Sequence, residues 1–87
     1  MIARKKPVEV EVMQFVDLES AEHIESWSNQ KARYYIEKHV PFLKIKTLEG
    51  YMIADIGDYI IKGVHGEFYA CKPDIFHNTY DIIEEDK

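Results

Sequence analysis

Residues 8–15, Val-Glu-Val-Glu-Val-Met-Gln-Phe, alternate apolar and polar side chains, with Val8, Val10 and Val12 on one side and Glu9 and Glu11 on the other. A period of two carried by β-branched residues predicts a half-buried strand. The period then lengthens: Leu18, Ala21, Ile24 and Trp27 recur every three residues, and Glu19, Glu22, Glu25 and Ser26 lie between them. This spacing predicts a helix over about 18–29, with its apolar side along those four residues. Asp17 or Ser20 is the expected N-cap, because its oxygen can accept an unpaired N–H of the first turn. The acidic first turn also suits the positive end of the helix dipole.

Beyond the helix the pattern shortens. Residues 32–38, Ala-Arg-Tyr-Tyr-Ile-Glu-Lys, fit a strand by their aromatic and β-branched content, and they also fit a continued helix. His39-Val40-Pro41 interrupts the chain, since Pro41 restricts Val40 and has no N–H to donate. Residues 42–48 resume alternation, with Leu43, Ile45 and Thr47 pointing one way and Lys44 and Lys46 the other. Glu49-Gly50 predicts a tight turn, and Tyr51-Met52-Ile53-Ala54 returns as the partner strand. Asp55-Ile56-Gly57-Asp58 is a second turn, Tyr59-Ile60-Ile61-Lys62 a strand, Gly63-Val64-His65-Gly66 a third turn, and residues 67–71 the returning strand. Residues 72–78 read as one helical turn with Pro73 early in it. Thr79-Tyr80-Asp81-Ile82-Ile83 reads as a last strand. The expected fold class is α+β: a curled antiparallel β-sheet, or a small open barrel of short strands, with one N-terminal-half helix packed on it.

Composition narrows the function. Eighty-seven residues make one domain, and 46% hydrophobic with 31% charged residues is the balance of a globular chain rather than a disordered one. Sixteen acidic against eleven basic residues give a formal charge of −5, which argues against general nucleic-acid affinity. Arg4, Lys5 and Lys6 near the start and Glu84, Glu85 and Asp86 at the end read as solvated termini. Cys71 is the single cysteine, so no disulfide forms within the chain and a cytosolic setting is expected. No apolar run approaches the roughly 20 residues of a membrane span. The basic start is followed by Glu-containing alternation instead of an apolar core, so no signal peptide is expected.

Candidate chemistry is sparse. Cys71 sits in the apolar company of Phe68, Tyr69 and Ala70 and reads as a core residue rather than a nucleophile paired with His23, His39, His65 or His77. No two histidines have metal-ligand spacing, and no metal or cofactor is expected. Asp55, Asp58 and Asp74 fall at turns, where a carboxylate bonds local backbone. Gly63 and Gly66 lie between strands and read as turn geometry rather than a phosphate loop. The one constellation with a binding chemistry is cationic and aromatic. Lys44, Lys46, Lys62 and Lys72, sharing a face with Tyr51, Tyr59 or Tyr69, would hold an anion and stack an aromatic base. Within the hairpin, Lys62, His65 and Tyr69 are the residues with functional potential.

Residues 47–50, 57–76 and 79–80 carry a resemblance. Thr47-Leu48-Glu49-Gly50, the run from Gly57-Asp58-Tyr59 to Asp74-Ile75-Phe76, and Thr79-Tyr80 resemble a widespread group of small phage and prophage proteins with the signature LEG…PGDYIIKGVxGEFYPCKPDIFxxTY. Residues 3–11 and 13–15 are similar to the start of that group, and residues 28–42 match least. Ile56 and Ala70 stand where the group has proline, which removes no chemical group. The resemblance implies a phage gene product located in the cytoplasm of the bacterial host, and it brings no activity that transfers residue by residue. The expected function is that of a non-enzymatic accessory protein acting by binding, as an inhibitor of a host anti-phage defence component. Two alternatives stand beside it: an oligomeric sponge for an anionic signalling nucleotide, and a minor structural or assembly protein. Expected partners are a host protein or a small anionic nucleotide, with pairing of strand edges giving a homodimer or higher oligomer.

Overall fold

The alternating start of the chain reaches a sheet only over its second half. In the computed structural model, which describes residues 1–4 and 7–83, strand β1 spans Glu11–Gln14. It pairs antiparallel with β5 (Tyr59–Lys62), from Glu11 opposite Lys62 to Gln14 opposite Tyr59. The partner runs out at Lys62, so Val8 is left exposed. Lys5, Lys6 and the acidic end Glu84-Glu85-Asp86 lie outside the described residues.

Of the two expected N-caps of helix α1 (Leu18–Trp27), Asp17 takes the position and Ser20 stands at the third helical residue. The Ser20 N–H donates to the Asp17 carboxylate at 2.8 Å, and the Ser20 hydroxyl accepts the Asp17 N–H at 3.0 Å, a reciprocal capping box. Ala21 and Ile24 are fully buried, and Trp27 packs against the same core. Leu18, expected on this apolar side, is exposed at the first helical position.

Residues 32–38 resolve as strand β2 (Ala32–Glu37), which pairs with β3 (Val40–Thr47). Lys38 and His39 form the reversal with φ of 50° and 66°, the left-handed pair that a two-residue hairpin turn requires. The chain therefore reverses before Pro41 rather than breaking at it. Pro41 lies one residue beyond the last pair with the next strand, Phe42 opposite Asp55, so its missing N–H costs no ladder bond. Strand β4 (Gly50–Asp55) follows through the Leu48-Glu49 reversal, with Gly50 at φ 127°. The free edge of β2 is blunted by α1: Ser28 Oγ accepts the Ala32 N–H at 3.0 Å and the Glu25 carboxylate accepts the Tyr34 N–H at 2.9 Å.

The α+β class and the helix packed on sheet are observed. The strands form two three-stranded antiparallel sheets, β2-β3-β4 and β1-β5-β6, with β6 at Phe68–Cys71, and neither closes into a barrel. The single curled sheet divides at residues 55–58. There the Phe15 N–H donates to the Asp58 carbonyl at 2.9 Å and the Gly57 N–H to the Phe15 carbonyl at 2.7 Å, so β5 is clipped to β1 instead of continuing along β4. Between the sheets and α1 lies the core of Phe15, Ala21, Ile24, Ala32, Leu43, Ile45, Ala54, Ile60 and Phe68. Burial of each large member is worth about 1.5–3 kcal/mol.

The β1-β5-β6 sheet is covered on its other face as well. Helix α2 (Pro73–Thr79) extends the expected single turn and lays Phe76 flat on Tyr59, ring centroids 4.0 Å apart. Ile61 is thereby fully buried. The expected strand at 79–83 does not form: Thr79 stays in α2, donating to the Ile75 carbonyl at 2.8 Å, and Tyr80 stacks on Phe76. A further strand would need an edge, and the Ala70 N–H of β6 already donates to Met52 Sδ at 3.3 Å.

One carboxylate ties these parts together. Asp58 is buried, and its Oδ2 accepts both the Asp55 N–H and the Lys72 ammonium at 2.9 Å. Asp58→Ala strands the Asp55 N–H and removes the shorter of the two Lys72 contacts, and should cost about 1–3 kcal/mol in urea unfolding. Asp55→Ala removes a carboxylate whose side chain is 60% exposed and should cost under about 1 kcal/mol. Equal losses would contradict this assignment. His39→Gly should stabilise the chain by about 0.5–1 kcal/mol, read as a raised Tm, by relieving a left-handed non-glycine residue; a lowered Tm would show that the turn is not strained.

Candidate functional site

The strand alternation of β3 decides where the lysines go. Leu43 and Ile45 are fully buried against the core, so Lys44 and Lys46 stand on the outer face of the β2-β3-β4 sheet. The register places neighbours beside them. Arg33 is opposite Lys44 on one side, and Tyr51 is opposite Lys46 on the other. One step along, Tyr35 is opposite Phe42, and their rings stack with centroids 5.7 Å apart. The Lys44 ammonium rests over the Tyr51 ring, 4.4 Å from its centroid, a cation–π contact that holds the charge at the surface.

These residues line a groove of about 250 Å³ with Gln30, Lys31, Arg33, Tyr35, Lys44, Lys46 and Tyr51 on its walls. A second hollow of about 270 Å³, more apolar, adjoins it at Glu37, Val40, Phe42, Ile53 and Asp55. Arg33 Nε lies 3.7 Å from the Glu25 carboxylate, with the Arg33 side chain 57% exposed. Among the described residues neither Lys44 nor Lys46 pairs with a carboxylate. Cations thus cluster without full compensation in a chain whose acidic residues outnumber its basic ones.

The other sequence candidates lie elsewhere and have local partners. Lys62 reaches Glu11 at 3.6 Å. Lys72 bonds Asp58 at 2.9 Å and Asp55 at 3.1 Å, and these bonds push its ammonium above the ordinary lysine value, Asp58 first. Tyr59 carries Phe76 on its face, and its hydroxyl lies 3.3 Å from His77 Nε2. The Tyr69 and Tyr80 hydroxyls share a hydrogen bond at 3.2 Å, and burial, followed by that bond, raises the Tyr69 phenol well above its usual range. His65 is exposed in the hairpin turn, its N–H donating to the Glu67 carboxylate at 3.2 Å. Of the sequence candidates the structure brings together Lys44, Lys46 and Tyr51, and it adds Arg33 and Tyr35 to them. Arg33 and Tyr35 escaped the sequence reading because residues 32–38 fitted two elements; as a strand, their spacing of two would have placed them on one face.

Burial raises the Cys71 thiol above its ordinary value, with the Asp58 and Asp74 carboxylates adding to the effect, so the thiolate is disfavoured near neutrality. Among the described residues no three His, Cys, Asp or Glu side chains converge as a metal would require. Cys71 should therefore alkylate with iodoacetamide more slowly at about pH 8 than a cysteine in an unstructured peptide. A rate equal to or above the peptide's would mark an activated thiol and contradict this reading.

No family model, no curated protein and no solved structure matches the chain.

Proposed function

We propose that this chain is a phage accessory protein that acts by binding, and that its binding surface is the outer face of the β2-β3-β4 sheet. The observation that carries the reading is the grouping of Arg33, Lys44 and Lys46 with the exposed rings of Tyr35 and Tyr51 around one groove. Like charges opposite one another across strands are destabilising unless an anion bridges them. The resemblance of residues 57–76 to phage and prophage proteins supports a setting inside an infected bacterium. The partner is then an anionic component of the host's anti-phage defence, a protein or a small signalling nucleotide, which the chain sequesters.

An immobilised chain exposed to extract of its bacterial host, with and without prior deproteinisation, tests this. A defined component should be retained, released as salt rises from about 0.05 to about 0.5 M, and bound about tenfold or more weakly by the Lys44→Glu/Lys46→Glu double variant. Glu19→Lys/Glu22→Lys, on the opposite acidic helix, should leave retention intact. Retention that ignores the β3 substitutions and follows the helix substitutions would place binding on the acidic surface instead.

A further inference from the structure

We propose that the occupant of this groove is a nucleoside phosphate, its base on the Tyr35–Phe42 ring pair and its phosphate between Arg33, Lys44 and Lys46. The inference rests on the preceding reading of the face as an anion-binding surface.

The register orders the face into successive rows. Tyr35, Phe42 and, at the edge, Asp55 form the first, Arg33, Lys44 and Ile53 the second, and Lys46 with Tyr51 the third. Alternate residues along a strand are about 6.6–6.8 Å apart. An aromatic tile is thus followed at one such step by a cation pair and at the next by a third cation. A nucleotide has the same order: a flat base, a sugar as spacer, then phosphate. The tile is suited to the base. Its rings are inclined by only 23°, and Tyr35 is 46% exposed, which leaves aromatic surface at the mouth of the groove.

Charge density favours phosphate over carboxylate. A phosphate monoester carries about −1.5 to −2 near neutrality, against one charge for a carboxylate, so a single group can bridge the three cations. Arg33 adds a planar fork matched to phosphate oxygens, its Nε 3.7 Å from the Glu25 carboxylate and its side chain 57% exposed.

Titration calorimetry with ADP, pyrophosphate, adenosine, a hexaglutamate peptide and a thymidine decamer tests the assignment. ADP should bind at least about tenfold more tightly than pyrophosphate, the stacking contribution of one base. Adenosine alone should bind at least about tenfold more weakly than ADP, because it lacks the charges. Tyr35→Leu should bring ADP down to the pyrophosphate affinity, and Lys44→Gln/Lys46→Gln should weaken both phosphates about tenfold or more. Lys62→Gln, on the other sheet, should change neither. Pyrophosphate binding as tightly as ADP, or hexaglutamate binding more tightly than either, would overturn the nucleoside assignment while leaving an anion-binding face. The decamer binding at least about tenfold more tightly than ADP would replace the single nucleotide by a nucleic-acid strand. Binding of none of the anions would overturn both this inference and the reading beneath it.

Discussion

The Asp58 carboxylate is the point on which the arrangement of the two sheets depends. It is buried beside a turn, and it escapes the penalty for an unpaired buried charge through the Asp55 N–H and the Lys72 ammonium, both at 2.9 Å. Lys72 immediately precedes α2, so the same bond fixes where that helix starts. The Asp58 backbone carbonyl meanwhile accepts the Phe15 N–H at the end of β1. One residue therefore sets the exit of β4, the pairing of β1 with β5, and the seat of α2.

Two consequences follow for function. The β1-β5-β6 sheet is used up: Ile60 and Phe68 face the shared core, while Tyr59 and Ile61 face α2. The hairpin that carries the most distinctive part of the sequence is thus mostly framework, with Lys62 and Lys72 spent on carboxylates. The β2-β3-β4 sheet is covered on one face only. Among the described residues no helix covers Lys44, Lys46, Tyr35 and Tyr51 on its outer face, which is the surface proposed for binding.

Much of this was legible in residue order. The period of two in residues 42–48 put Lys44 and Lys46 outward, the three-residue spacing found α1, and glycine marked the turn at Gly57. What failed to show had physical causes. Lys38 and His39 adopt left-handed backbone without a glycine, so the reversal left no turn signature and β2 stayed ambiguous. Ile82 and Ile83 have strand propensity, yet Tyr80 is drawn onto Phe76, and the two isoleucines remain exposed. Lys62 and Lys72 looked free because their partners Glu11, Asp55 and Asp58 are distant in sequence and close only after the sheets assemble. Arg33 and Tyr35 joined the site for the converse reason: their face exists only once β2 pairs with β3.

The account turns on where the surface of an acidic chain concentrates anions. Paramagnetic broadening of amide signals by an anionic gadolinium chelate measures this directly. Broadening should centre on Arg33, Tyr35, Lys44, Lys46 and Tyr51 and fade as salt screens the face. Broadening centred on Lys62 and His65 of the hairpin, or spread evenly over both sheets, would contradict it.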